Sequence, residues 1–236
     1  MESTTIKYIL TDIEGTTTSV SFVYEILFPY FRNNIQKLND LQALTEVQEA
    51  FKQTIKLAKE ENGIGLSETS QIIDKLLEWS KEDKKITPLK TLQGVLWEEG
   101  YKSGELKGHI YPDVAKNLEI WKIKGLQMGI FSSGSVSAQK LLFGFSEQGD
   151  LTQNFSHYFD TKTGGKREQE TYIKISEIIQ FEPSTILFLS DIKEELEAAS
   201  SAGYQTIQLV REGNSVAWNE STSDFTKISE KLGYFN

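Results

Sequence analysis

The chain contains no cysteine and only two histidines, His109 and His157. The first absence excludes disulfide frameworks, thiolate-ligated zinc and cysteine nucleophiles. The second leaves no H-E-x-x-H metal site and no convincing Ser-His-Asp triad. A basic excess is also missing, with 25 Lys and Arg against 34 Asp and Glu and a formal net charge of −9. A polyanion-binding protein normally carries a clustered basic face, so nucleic acid is not an expected partner; a small anion needs only a local positive pocket. Long apolar runs are lacking too. The first, Ile6 to Leu10, is far shorter than a signal or membrane-spanning segment, so a cytoplasmic protein with no membrane partner is expected. A monomer is expected as well, although nothing in the sequence fixes the oligomeric state. What remains is ordinary globular usage, 38% hydrophobic and 25% charged, which argues against disorder. At 236 residues the chain suits one large α/β domain or a core carrying a smaller inserted one.

Five short apolar runs read as buried strands: Ile6 to Leu10, Gln127 to Phe131, His157 to Phe159, Thr185 to Leu189 and Gln205 to Val210. Helical patterns separate most of them. Tyr172, Ile175 and Ile179 recur at helical spacing within Arg167 to Gln180, and Ile192 to Ser200 is rich in Glu and Ala. Such alternation indicates βαβ units and a parallel sheet. Residues from about 18 to 110 read differently, with amphipathic helical stretches at Val47, Phe51 and Ile55, at Ile72, Ile73, Leu76 and Leu77, and at Leu89, Leu92 and Leu96. Thr87-Pro88 suits an N-cap followed by Pro at the first helical position. Glu61-Asn62-Gly63-Ile64-Gly65 suits a loop with a helix-ending glycine.

Chemistry-bearing residues gather where these runs end. The first closes on Thr11-Asp12-Ile13-Glu14-Gly15-Thr16-Thr17, a carboxylate pair spaced i, i+2 that strand alternation would point the same way, into the crevice where open parallel sheets bind ligands. One acid could attack while its neighbour moves a proton, and Gly15 would let the backbone turn sharply. Taken alone, the same residues equally describe an acidic turn. The second run enters Phe131-Ser132-Ser133-Gly134-Ser135 before a helix, where hydroxyls and helix N-terminal amides suit an anion, although Ser133 or Ser135 could serve only as an N-cap. After the third comes Asp160-Thr161-Lys162-Thr163-Gly164-Gly165-Lys166-Arg167. It is not a Walker A loop, but Lys166 could neutralise phosphoryl oxygens, while Lys162 and Arg167 better fit a solvated turn. The fourth ends at Ser190-Asp191, a carboxylate beside the first strand's Asp12 and hence an oxygen-rich place for Mg²⁺. Glu194 and Glu195 follow, where acids favour a helix N-terminus.

An acid pair, a serine pair, a lysine and an acid at successive strand ends resemble the haloacid dehalogenase superfamily of aspartate-dependent phosphotransferases. Within it, Asp12-Ile13-Glu14-Gly15-Thr16-Thr17-Thr18, Phe22-Val23 with Leu27-Phe28-Pro29-Tyr30, Leu92-Gln93-Gly94 with Trp97, Ser132-Ser133-Gly134-Ser135-Val136 with Ala138-Gln139-Lys140-Leu141-Leu142-Phe143-Gly144, and Phe159-Asp160-Thr161-Lys162 look like the enolase-phosphatases (acireductone synthases) of methionine salvage. Glu14, where most of the superfamily has aspartate, is a distinguishing feature. The resemblance implies an α/β fold, a doubly wound parallel-sheet core of residues 1–17 and 112–236, with residues 18–111 forming an inserted α-helical cap over its C-terminal edge. It implies a phosphorylated small-molecule substrate, 2,3-diketo-5-methylthiopentyl 1-phosphate, enolised and then dephosphorylated. Implied roles are Asp12 as nucleophile, Glu14 as acid and base, and Ser132, Ser133 and Lys166 on the phosphoryl oxygens. Mg²⁺ would be held by Asp12, the Glu14 carbonyl and Asp191. Lys90, Gln93 and Trp97, at i, i+3, i+7 on one helix face, are candidates to meet the substrate. A general sugar-phosphate phosphatase and a phospho-receiver are the alternatives.

Overall fold

The computed structural model describes residues 5–63, 65–211 and 213–234. The chain divides into two compact units, Met1–Val20 with Lys107–Asn236, and Ser21–Leu106. The discontinuous unit is built on a six-stranded sheet of order β3-β2-β1-β4-β5-β6. Its strands are β1 (Tyr8–Thr11), β2 (Gln127–Phe131), β3 (His157–Phe159), β4 (Ile186–Ser190), β5 (Gln205–Leu209) and β6 (Ser221–Thr222). Every neighbouring pair is parallel. Its helices are α5 (Pro112–Ile123), α6 (Val136–Gly144), α7 (Gln169–Ile179), α8 (Lys193–Ser201) and α9 (Phe225–Lys231), with the numbers α1 to α4 kept for the helical unit earlier in the chain. β1 and β4 are buried along their whole length, as strands covered on both faces must be. Tyr8 and Leu10 of β1 pack with Tyr172, Ile175, Phe188 and Leu196 on one face. On the helix pair α5 and α9, Trp121 stacks on Phe225 at 5.1 Å and donates its indole N–H to Ser229 Oγ at 2.8 Å.

The runs expected at 127–131 and 157–159 are strands with those bounds. β1 and β4 sit slightly later than the apolar pattern indicates, because polar Thr11 and Ser190 are carried into the sheet by their neighbours' ladders. β6, polar and two residues long, has no hydrophobic signature and was not expected.

The second unit, residues 21–106, is helical: a π-helix (Phe22–Leu27), α1 (Phe28–Asn34), a 3₁₀ turn (Ile35–Asn39), α2 (Thr45–Asn62), α3 (Thr69–Lys81) and α4 (Thr87–Ser103). Its core joins Phe31, Val47, Ile73, Leu76, Trp79 and Leu92. α2 ends at Gly63, whose φ of 74° lets its N–H reach Lys59 O, as the sequence suggests; Ile64 of the same expected loop lies outside the described residues. α4 begins one residue earlier than expected. Ile86 occupies the N-cap without a side-chain bond, and Pro88 sits inside the first turn, where its missing N–H is harmless.

Candidate active site

β1 lies at the centre of the strand order, where the connections reverse direction, and in such sheets the carboxyl ends of the strands form the ligand crevice. Asp12 leaves β1 there. Its N–H still donates to Leu189 O at 2.8 Å, one residue beyond the strand, and the residue is 3% exposed. The chain then coils tightly: the N–H groups of Thr16, Thr17 and Thr18 all donate to Ile13 O at 3.1, 2.8 and 3.0 Å. Gly15 adopts φ +73°, and a Cβ there would lie 2.3 Å from Asp191 Oδ2. The turn thus requires glycine twice over, for its backbone and for its neighbour.

The acid pair converges by a route different from the expected strand alternation. β1 stops at Thr11, and the coil returns Glu14 beside Asp12. Burial and the nearby Asp12 carboxylate hold the Glu14 carboxyl above the usual carboxylate range. Ser132, fully buried at the end of β2, donates its hydroxyl to Glu14 Oε2 at 3.3 Å and accepts the Gly134 N–H at 3.1 Å. Ser135 is the N-cap of α6, accepting the Ala138 N–H at 3.2 Å, so the capping alternative holds for that serine. Ser133 is exposed on the same turn.

Lys166 reaches in from the loop after β3. Its Nζ lies 2.5 Å from Asp12 Oδ1 and 2.7 Å from Glu195 Oε2, with the side chain only 10% exposed. Burial alone would lower its pKa, but the two carboxylates push it up to about 12, so the ammonium stays charged. Lys162 and Arg167 are exposed, as a solvated turn requires. Asp191, just past β4, has its pKa pushed up to about 7 by burial and by Asp12.

Glu195 was not assigned a role from sequence, where it looks like any acid at a helix start. It is buried, accepts the Ser190 hydroxyl at 2.9 Å and pairs with the same Lys166 ammonium as Asp12. Burial, then Asp12, raise its pKa, because several carboxylates share one ammonium. Glu194 is exposed.

The donor set suits a hard divalent cation. Asp12, Glu14, Asp191 and Glu195 interact electrostatically around the single Lys166 charge, leaving surplus negative charge. Asp191 Oδ1 is buried without a hydrogen-bond partner. Among the described residues no group of three or more His, Asp or Glu side chains has metal-holding geometry. A set of two carboxylates and a backbone carbonyl is compatible with that count.

In the helical unit, Lys90 is half-buried and Gln93 is 7% exposed. Trp97 is anchored within its own unit: its N–H donates to Leu27 O at 2.9 Å and its ring stacks on Phe28 at 6.3 Å.

The family model for haloacid dehalogenase-like hydrolases matches residues 6–203. The chain is 51% identical over 225 residues to a protein of Picosynechococcus sp. named enolase-phosphatase E1, covering 95% of this chain and 98% of that one. A protein of the same name from Pseudomonas fluorescens is 46% identical, with 94% and 97% covered. Among solved structures, the UTR4 protein of Saccharomyces cerevisiae superposes with a TM-score of 0.78 at 33% identity, over 93% of this chain and 97% of that one.

Proposed function

The chain belongs to the haloacid dehalogenase-like hydrolases and, within them, to the enolase-phosphatases, and from that membership we infer how its own residues carry the reaction. The substrate is 2,3-diketo-5-methylthiopentyl 1-phosphate, which the enzyme enolises and dephosphorylates to the acireductone 1,2-dihydroxy-3-keto-5-methylthiopentene and phosphate, a step of methionine salvage. The observation that carries the dephosphorylation reading is one juxtaposition: Asp12 is held by Lys166 at 2.5 Å, beside a Glu14 carboxyl that burial and Asp12 hold above the usual carboxylate range.

Asp12 Oδ attacks phosphorus, the bond from phosphorus to the substrate's C1 oxygen breaks, and the Glu14 carboxyl gives its proton to that leaving oxygen. Glu14, now a carboxylate, takes a proton from the water that hydrolyses the aspartyl phosphate. Lys166 and the Ser132 and Ser133 donors bind the phosphoryl oxygens as their charge redistributes. Glu195 keeps Lys166 directed at Asp12. Asp12, the Glu14 carbonyl and Asp191 would hold Mg²⁺, which would supply positive charge against the phosphoryl group and polarise a substrate oxygen for enolisation. Lys90, Gln93 and Trp97 enter the proposal as substrate-recognising residues mostly on the strength of the family resemblance, with their spacing along α4 beside it.

The test is to follow the diketone phosphate by ³¹P and ¹H NMR with enzyme and Mg²⁺. An enol phosphate that forms and then gives inorganic phosphate is the expected course. Turnover of simple sugar phosphates as fast as the diketone phosphate would instead make this a general phosphatase, and an aspartyl phosphate lasting hours would make it a receiver.

A further inference from the structure

The coil from Asp12 to Thr18 carries both proposed catalytic carboxyl groups, yet its shape is only partly self-supported. Ile13 O takes three N–H groups from within the coil, Thr18 O takes the Gly15 N–H at 2.8 Å, and Asp12 O takes the Thr11 and Thr17 hydroxyls at 3.0 and 3.3 Å. Thr16 O, in the middle of the turn, is bonded from outside. Arg211, beyond β5, donates to it twice, from Nε at 3.1 Å and from Nη2 at 3.0 Å.

Arg211 is 8% exposed, and its guanidinium is fully committed. Nη1 and Nη2 form a fork onto Asp113 Oδ1 and Oδ2 at 3.1 and 3.0 Å, and Nη1 also donates to Ser223 O at 3.2 Å. With the two bonds to Thr16 O, all five N–H donors are used. Its Cζ lies 4.1 Å from the centre of the Tyr111 ring, and Asp113 Oδ2 also takes the Phe225 N–H at 2.9 Å. The charge is balanced by Asp113, so Arg211 is spent on geometry, not on attracting an anion. The planar fork gives it a fixed orientation that a lysine ammonium cannot reproduce.

We propose that Arg211, oriented by Asp113, is a positioning residue for this reaction: by fixing the Thr16 carbonyl it fixes the turn that sets Glu14 beside Asp12. This rests on the roles given above to Asp12 and Glu14. Misplacing a proton-transfer group slows chemistry without weakening substrate binding, and a misplacement of about 1 Å costs about 10²-fold.

The test is a double-mutant cycle on the full chain with Mg²⁺ and the diketone phosphate, each variant assayed well below its melting temperature and normalised to folded protein. Arg211→Lys should lower kcat between about tenfold and 10²-fold, with KM within about twofold of the parent. In a Glu14→Gln background the same change should cost less than about threefold, because the group it positions no longer transfers a proton. A purely stabilising residue would lower melting temperature and act equally in both backgrounds. A kcat for Arg211→Lys within twofold of the parent, or an equal loss in both backgrounds, overturns the proposal. If Arg211→Lys does not fold, Asp113→Asn is read by the same criteria, and if neither folds the pair belongs to the fold alone and the assignment falls. Should Glu14→Gln itself be silent, the role given to Glu14 has failed, and Arg211 is then judged by its own kcat and KM.

Discussion

Replacing Asp12 by Asn removes the carboxylate that forms the acyl phosphate and the partner 2.5 Å from Lys166. Phosphate release should fall to background, and release within tenfold of the parent in a phosphate assay would remove Asp12 as nucleophile. Glu14→Gln keeps size and backbone carbonyl but cannot move a proton, a contribution of about 10² to 10⁴ in rate. Dephosphorylation should therefore drop by that order while Mg²⁺ affinity, measured by calorimetry, changes little. Gly15→Ala should act on both counts of its setting, the positive φ and the 2.3 Å approach to Asp191. The left-handed backbone alone costs about 1–2 kcal/mol, and a displaced Asp191 should weaken Mg²⁺ as well as turnover. The meeting of Asp12, Glu14, Ser132, Lys166 and Asp191 was legible because each follows a readable apolar run, and parallel strands put their carboxyl ends on one side. Glu195, Asp113 and Arg211 were not. A buried acid on a helix start looks like an exposed one until Lys166 is seen against it, and a lone arginine 195 positions from its partner Thr16 leaves no pattern in the chain.

At the scale of elements, α2, α3, α4 and α7 were legible through their apolar spacing and β1 to β5 through their runs, while polar β6 and the π-helix at Phe22–Leu27 have no pattern that announces them. One cluster ties the helical unit together by charge. Glu61 on α2 accepts from Lys75 at 2.9 Å and from the Trp79 indole at 3.0 Å, both on α3, and pairs with Lys84 after it. These partners, Lys84 first, hold its pKa down at about 2. A carboxylate with a depressed folded pKa stabilises fully above its unfolded value near 4.3 and loses that contribution as pH falls through the folded value. Thermal melts of the parent between pH 5 and pH 2 should therefore fall more steeply than those of Glu61→Gln, and 1 M salt should narrow the gap because the site is open to water. Parallel slopes for the two proteins would show that the cluster is neutral. On α4, Trp97→Ala removes an indole held by Leu27 O and stacked on Phe28. If it also meets the substrate, the diketone phosphate reaction should suffer more than hydrolysis of a small aryl phosphate, with circular dichroism verifying the fold. Equal losses on both would assign Trp97 to packing alone.

For the whole molecule, the proposed Mg²⁺ ligands arise from the ends of two strands paired in the sheet, β1 and β4. A cation binding only the folded state stabilises by mass action, about 2.7 kcal/mol at a hundred times its Kd. EDTA should stop turnover and lower the melting temperature, Mg²⁺ should restore both, and Asp191→Asn should lose the thermal response; undiminished activity in excess chelator would remove the metal from the reading. The same strand order governs how the protein is made. β1 lies between β2 and β4, so the innermost strand of the sheet is translated first and acquires its second neighbour only after residue 190 has been added. At about 5–20 residues per second, that is a wait of roughly ten to forty seconds. Throughout it, Tyr8-Ile9-Leu10 has no partner on one edge, whereas residues 21–106 already hold the apolar helices of their own core. Pairings this distant in sequence are slow to close and expose strand edges in the meantime. The nascent chain therefore has its greatest exposure to aggregation before β4 emerges, and substitutions that slow β4 pairing should lower the yield of folded enzyme more than they lower the stability of what does fold.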